Sequence, residues 1–354
     1  MIPRSTPTWQ NKSSANWQEQ LQQAINTPMA LLKALNLDVS LLPAAHIASQ
    51  QFPLRVPHAF IDRMEAGNPN DPLLRQVLPI DEELIVRSGY SNDPVQEQGD
   101  SPTGMIHQKG LIQKYHGRIL LLVNGHCAIN CRYCFRRHFP YEENKLSREQ
   151  WLIAIKQIAE DSNIEEVIYS GGDPLASNDK QLQWLTQQIA AIPHVKRLRI
   201  HSRLPVVIPD RITDSCLHWL SNHRLQTVFV LHINHPNEIN PALIQSVQQL
   251  RSADITLFNQ AVLLRGVNDS VETLKTLSEA LFTVGILPYY LHLLDPVQGA
   301  AHFAIPLAEA EIIHKGLLDK LPGYLVPKFV KEVGGTGSKT PIDHLRDRLR
   351  LHAV

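Results

Sequence analysis

From residue 119 onward the chain alternates short apolar runs with longer amphipathic ones, six times over, and closes on a seventh apolar run. No other feature narrows the possible folds as far. The apolar runs cover 119–123, 166–169, 195–200, 227–232, 255–264, 287–294 and 325–330. The amphipathic segments between them cover 148–160, 180–192, 210–220, 241–252, 271–284 and 307–321. Strand and helix in strict alternation argue an α/β fold with a parallel sheet and helices outside. Right-handed crossovers then allow an open doubly wound sheet or a barrel. Even spacing, with polar or Gly-rich residues after nearly every strand, favours a TIM-type barrel. Seven strands leave it partial, and a Rossmann-like sheet is the alternative. In either case chemistry belongs at the carboxyl ends of the strands.

Residues 1–92 read as mostly helical. Helix formers at 16–25 follow a Ser-Ser capping signal, and Pro/Asn/Asp clusters at 68–72 and 91–94 cut the helices short. The polar stretch 101–116 lacks periodicity and reads as a loop or connector. The expected organisation is a helical N-terminal region and connector over 1–105, the partial barrel over 106–341 and a short tail over 342–354. Lys+Arg and Asp+Glu are both 34, so no global positive field exists to hold nucleic acid or an anionic membrane. No apolar stretch approaches the ~20 residues of a membrane span. The N-terminus has no apolar signal region, so the expected location is the cytoplasm.

Of four cysteines, three fall together as Cys127-x3-Cys131-x2-Cys134, directly after the first strand. Three thiolates on one loop can hold three irons of a cubane cluster and leave the fourth iron free for a small molecule. A structural zinc with His126 or His138 as fourth ligand is the alternative on spacing alone. Cys216, inside an apolar helix, reads as a small core residue. After the second strand, Ser170-Gly171-Gly172-Asp173 permits close backbone approach, by a ligand or in a plain turn. After the seventh, Gly334-Gly335-Thr336-Gly337-Ser338-Lys339-Thr340 suggests a phosphate loop, but Ser338 stands where that motif needs Gly. The other use of such a lysine is a Schiff base with pyridoxal phosphate (PLP).

Taken together, the cysteine triplet, the SGGDPL segment and the GGTGSKTP segment resemble the lysine 2,3-aminomutase family of radical S-adenosylmethionine (SAM) enzymes. HSRLPVVIPDRIT at 201–213, HINHPNEI at 232–239 and NQAVLLRGVND at 259–269 extend the likeness over about 110–341. The resemblance implies a partial barrel of the radical SAM kind, with a helical N-terminal extension. It implies three cofactors: a 4Fe–4S cluster on Cys127, Cys131 and Cys134, SAM on the open iron, and PLP on Lys339. Ser170, Gly171, Gly172 and Asp173 would lie along SAM, with His232 and Gln260 as further contacts. Arg118 and Lys114 would hold the PLP phosphate, although relatives carry arginine at the second position. Arg136 would bind the substrate carboxylate in its planar fork. Asp295 and Glu332 would bind a distal ammonium; relatives carry aspartate in place of Glu332.

The reaction so implied is conversion of (S)-α-lysine to (R)-β-lysine. A 2,3-aminomutase acting on glutamate or arginine is the alternative, and the two acids argue against glutamate. The chain stops at Val354, short of the zinc-binding tail of the longer aminomutases. That resembles the short bacterial members associated with elongation factor P, to which a separate lysyl ligase attaches the product. A one-electron reductant such as flavodoxin or ferredoxin is the expected partner. All of this carries one spatial requirement: the thiol trio and Lys339 must share a chamber.

Overall fold

A computed structural model describes residues 16–98 and 106–342. The Ser-Ser signal and all but the first residue of the tail lie outside the described residues.

The N-terminal region forms five short helices: α1 (Trp17–Gln22), α2 (Pro28–Ala34), α3 (Leu42–Gln51), α4 (His58–Ile61) and α5 (Pro72–Arg75). Asn16, Thr27 and Asp71 cap α1, α2 and α5 through their side-chain oxygens, and Pro follows the cap in the last two. Buried residues of α1, α2, α4 and α5 share one apolar core with the strands and helices that follow.

A hairpin comes next, β1 (Ile106–Gln108) and β2 (Leu111–Tyr115), and then β3 (Arg118–Asn124). This corrects the expectation of a loop for 106–115; residues 101–105 of that stretch lie outside the described residues. β2 is an antiparallel neighbour of β3 and buries Leu111 and Ile112. Polar residues at its far end hid the alternation. Helices and strands then alternate, with two helices between β5 and β6 and a closing strand pair: α6 (Arg148–Glu160), β4 (Glu166–Gly171), α7 (Asp179–Ala190), β5 (Arg197–Ser202), α8 (Leu204–Val207), α9 (Asp214–Ser221), β6 (Gln226–Leu231), α10 (Pro241–Ser252), β7 (Thr256–Leu263), α11 (Val271–Val284), β8 (Leu287–Leu293), α12 (Leu307–Lys320), β9 (Lys328–Lys331) and β10 (Thr340–Pro341). The helix expected from 210 starts at 214, because Pro209–Arg211 forms a tight 3-10 turn and Thr213 provides the cap.

Strands β3 to β9 pair in parallel and in sequence order. β1, β2 and β10 add antiparallel strands at the two flanks, and the sheet does not close. This is the incomplete barrel the seven runs called for. Lys114 and Tyr115 of β2 both reach Glu332, just past β9, so side chains bridge the gap.

The two faces of the sheet differ in chemistry. Leu198, Ile200, Phe229, Leu231, Leu257, Leu263 and Leu291 join the core beneath the helices. Their neighbours in the strands, Arg199, His201, Gln260, Tyr290 and His292, face the other way. A filled TIM barrel packs branched aliphatic residues there. Here the inner face is polar, and much of it is only half-buried, as a lumen that receives ligands requires.

Candidate active site

Every residue singled out above, apart from Lys114, Arg118 and Gln260, lies at or past the carboxyl end of a strand. The cysteine loop follows β3, Gly171 ends β4, and His232 follows β6. Asp295 follows β8, Glu332 follows β9, and Lys339 leads into β10.

The helical N-terminal region grips the cysteine loop through its backbone. Asn130 N–H donates to the Arg55 carbonyl at 3.0 Å and Arg132 N–H to the Gln76 carbonyl at 2.9 Å. Fully buried Arg132 forms a two-pronged pair with Glu83, at 2.8 and 2.5 Å, and Arg137 reaches the same carboxylate at 2.7 Å. Nothing in the sequence marked Glu83, because its partners lie about fifty residues away.

From the other side the Gly-Gly segment braces the same loop. Gly172 N–H donates to the Asn124 carbonyl at 2.7 Å, and Asp173 N–H to the His126 carbonyl at 2.9 Å. A Cβ on Gly172 would stand 2.8 Å from Gly125 C and His126 O. The close approach here is therefore between two stretches of this chain. Asp173 is buried and already saturated: its oxygens accept from Leu175, Arg203 and Leu204 backbone N–H groups and from the Ser202 hydroxyl. Ser170 Oγ and the Gly171 carbonyl instead meet Arg136 Nη1 at 3.1 and 3.3 Å.

The three half-buried thiols sense one another. Burial pushes the Cys127 thiol well above its ordinary range, and the charge of Cys134 adds to this. Cys134 is pushed up to about 11, by burial and then by Cys131. A bound cationic cluster would reverse that balance, since metal coordination deprotonates a thiol. Among the described residues, no three His, Cys, Asp or Glu side chains surround a single point as one metal ion requires. A cubane differs, because its cysteines bind three separate irons. His138 is engaged elsewhere, its Nε2 lying 3.0 Å from the Gln298 carbonyl oxygen. The donor set fits the cluster better than zinc.

A chain of charged contacts runs from the cysteine loop to Lys339. Arg136, two residues past Cys134, holds Glu97 two-pronged at 2.6 and 2.8 Å. Glu97 pairs with Lys114 at 2.9 Å, Lys114 with Glu332 at 3.6 Å, and Glu332 with Lys339 at 2.7 Å. The two ends thus open on the same mouth of the barrel. Sequence reading missed Glu97 and Tyr115, whose hydroxyl donates to Glu332.

The two acids differ sharply. Burial would raise the Glu332 carboxyl, but the Lys339 and Lys114 ammonium groups and hydrogen bonds from Lys339 and Tyr115 hold it at about 2. Asp295 is pushed up to about 7, by burial and then by the negative charge of Glu332. His232 lies 3.3 Å from His201, ring nitrogen to ring nitrogen. Burial holds it down to about 4, with Arg203, Lys339 and Arg136 acting in the same direction. Several buried polar atoms find no partner among the described residues: Arg118 Nε, Gln260 Oε1, His292 Nε2 and Asp295 Oδ1. Such orphans in one lumen mark where a polar ligand belongs.

Residues 121–277 match the Radical SAM superfamily. The chain is 50% identical over 337 residues to the L-lysine 2,3-aminomutase of Escherichia coli, covering 95% of this chain and 97% of that one. To the enzyme of the same name from Haemophilus influenzae it is 50% identical over 329 residues, covering 93% and 96% of the two chains. The Buchnera aphidicola counterpart is 46% identical over 329 residues, covering 93% and 95%.

Proposed function

The chain belongs to the lysine 2,3-aminomutase family of radical SAM enzymes, and from that premise we propose that it converts (S)-α-lysine to (R)-β-lysine with PLP held on Lys339. As an isomerase of this family it works with a 4Fe–4S cluster, SAM and PLP. When bound, the cluster and SAM supply a carbon-centred radical and PLP an electron sink. The protein's task is position and exclusion of water.

Cys127, Cys131 and Cys134 would hold the cluster, with Ser170, Gly171, His232 and Gln260 beside SAM. Neutral His232 and unpartnered Gln260 Oε1 offer that ligand hydrogen-bonding groups without charge. Gly172 and Asp173 support this side by bracing the cysteine loop and the β5 end. Arg118 and Lys114 would take the PLP phosphate. Arg136 keeps Glu97 on its Nε–Nη2 edge, and a substrate carboxylate would take the remaining N–H groups by displacing the longer contacts of Nη1 to Ser170 and Gly171.

The observation that carries the substrate assignment is the ammonium of Lys339 lying 2.7 Å from Glu332, with Asp295 near enough to feel both charges. Glu332 already seats one alkylammonium, and Asp295 stands nearby with an oxygen left unpartnered. A lysine side chain presents the same group, whereas glutamate would bring a third negative charge. The physiological product would then serve a separate ligase that modifies elongation factor P, and a flavodoxin or ferredoxin would supply the electron. No helix among the described residues is long and apolar enough to cross a membrane.

The test is anaerobic incubation of the loaded enzyme with lysine, arginine and glutamate separately, with chiral analysis of products. (R)-β-lysine as the dominant product is expected. β-Glutamate or β-arginine without β-lysine overturns the assignment.

A further inference from the structure

Cys131 sits among buried polar groups drawn from distant stretches of the chain. Arg203, just past β5, donates from Nη1 to the Cys131 sulfur at 2.7 Å and to the Tyr133 hydroxyl oxygen at 2.5 Å. That same oxygen accepts from Asn234 Nδ2 at 2.6 Å. The Cys131 sulfur thus receives a guanidinium donor, and the Tyr133 hydroxyl, itself held by Asn234, shares the same nitrogen.

The guanidinium is fixed from behind. Its Nη2 donates to Gln76 Oε1 at 2.7 Å and to Glu238 Oε2 at 3.0 Å. Glu238 is fully buried, and its other oxygen accepts from Asn234 N–H, His235 N–H and Gln76 Nε2 at 2.9, 3.1 and 3.2 Å. Arg203 N–H is itself held by the Asp173 carboxylate at 2.8 Å. The guanidinium cannot turn away from the sulfur without breaking several buried hydrogen bonds.

Hydrogen bonds to a cluster's sulfurs favour its more electron-rich state and raise its reduction potential. We propose that Arg203 sets the reduction potential of the iron–sulfur cluster through its hydrogen bond to the Cys131 sulfur, with Tyr133 fixing the guanidinium beside that sulfur and Glu238 moderating its charge. They are positioning residues, acting through the ligand and not on the substrate. This rests on the reading of the cysteine trio as cluster ligands.

The experiment is a potentiometric titration of the anaerobically reconstituted full chain without SAM. Dithionite supplies the electron, and electron paramagnetic resonance follows the reduced cluster. Iron and sulfide are assayed in parallel. Arg203→Gln should shift the midpoint negative, equivalent to a roughly three- to tenfold fall in the reduced-to-oxidised ratio at fixed potential; tenfold is about 59 mV for one electron. Glu238→Gln, which leaves the guanidinium uncompensated, should move it positive. A fully loaded Arg203→Gln protein with an unmoved midpoint overturns the proposal alone. A wild-type chain that takes up no iron and sulfide overturns the cluster reading and this proposal with it. If Arg203→Gln does not fold, Glu238→Gln, which keeps the side chain's shape, still decides, and an unmoved midpoint there overturns the proposal.

Discussion

Lys339, Glu332 and Asp295 show how much a side chain's role depends on its neighbours. Lys339 was singled out by the company of the cysteine triplet and the SGGDPL segment, since a lone loop lysine points to no particular chemistry. Its ion pair with Glu332 was not visible, since a seven-residue separation on a loop says nothing about contact. Lys339→Ala is expected to abolish isomerisation and the Schiff-base absorbance while iron content stays at the wild-type level; full turnover in that variant would remove PLP from this position. Asp295 adds a dependence on pH. With its carboxyl raised to about 7, it is neutral below that pH and only Glu332 faces a bound ammonium. The KM for lysine should therefore fall as pH rises through about 7. Asp295→Asn should flatten that slope and raise KM roughly ten- to hundredfold, the worth of a hydrogen bond to charge at about 1.5–3 kcal/mol. Linkage has the matching sign. A carboxyl raised on folding loses stability as pH climbs from its unfolded value near 4 to about 7. The thermal midpoint of Asp295→Asn should lack that decline.

Individual elements do their work in pairs of loops. The end of β4 and the start of the cysteine loop are joined backbone to backbone, which explains why glycine stands at 171 and 172 better than ligand approach does. Gly172→Ala forces a Cβ against backbone atoms and should cost about 1–3 kcal/mol. Iron incorporation should fall alongside the melting temperature, and unchanged iron content would separate the brace from the cluster. The opposite wall of the loop depends on Glu83. Replacing it by Gln leaves Arg132 and Arg137 buried without a counter-charge, a change that should cost about 3–5 kcal/mol in urea unfolding. Arg136 and Lys114 could be picked out beside Cys134 and β3, but the acid that links them, Glu97, lies in an irregular stretch with no periodicity to betray it. The hairpin β1–β2 was hidden for a related reason. An edge strand pairs through its backbone, which any polar residue can supply, so its side chains carry little pattern.

For the molecule as a whole, the helical N-terminal region and the barrel are separable in topology but not in packing. Buried residues of α2, α4 and α5 lie in one core with the strands, and backbone of that region holds the cysteine loop. A fragment of residues 106–342 should therefore fail to show a cooperative far-UV circular dichroism melt, and a sharp transition in that fragment would establish it as an autonomous domain. The seven parallel strands and the helices between them could be read from the residues alone. Periodicity is a local property of the chain, whereas the ligands of the loops came from the resemblance of short motifs to a known family. What needed three dimensions was the meeting of segments far apart in number: Glu97 with Arg136, Tyr115 with Glu332, and Arg203 with Cys131. Charge, burial and hydrogen bonding act through space over a few ångströms. The curvature of the sheet, and not the order of residues, decides which strand ends come within that range.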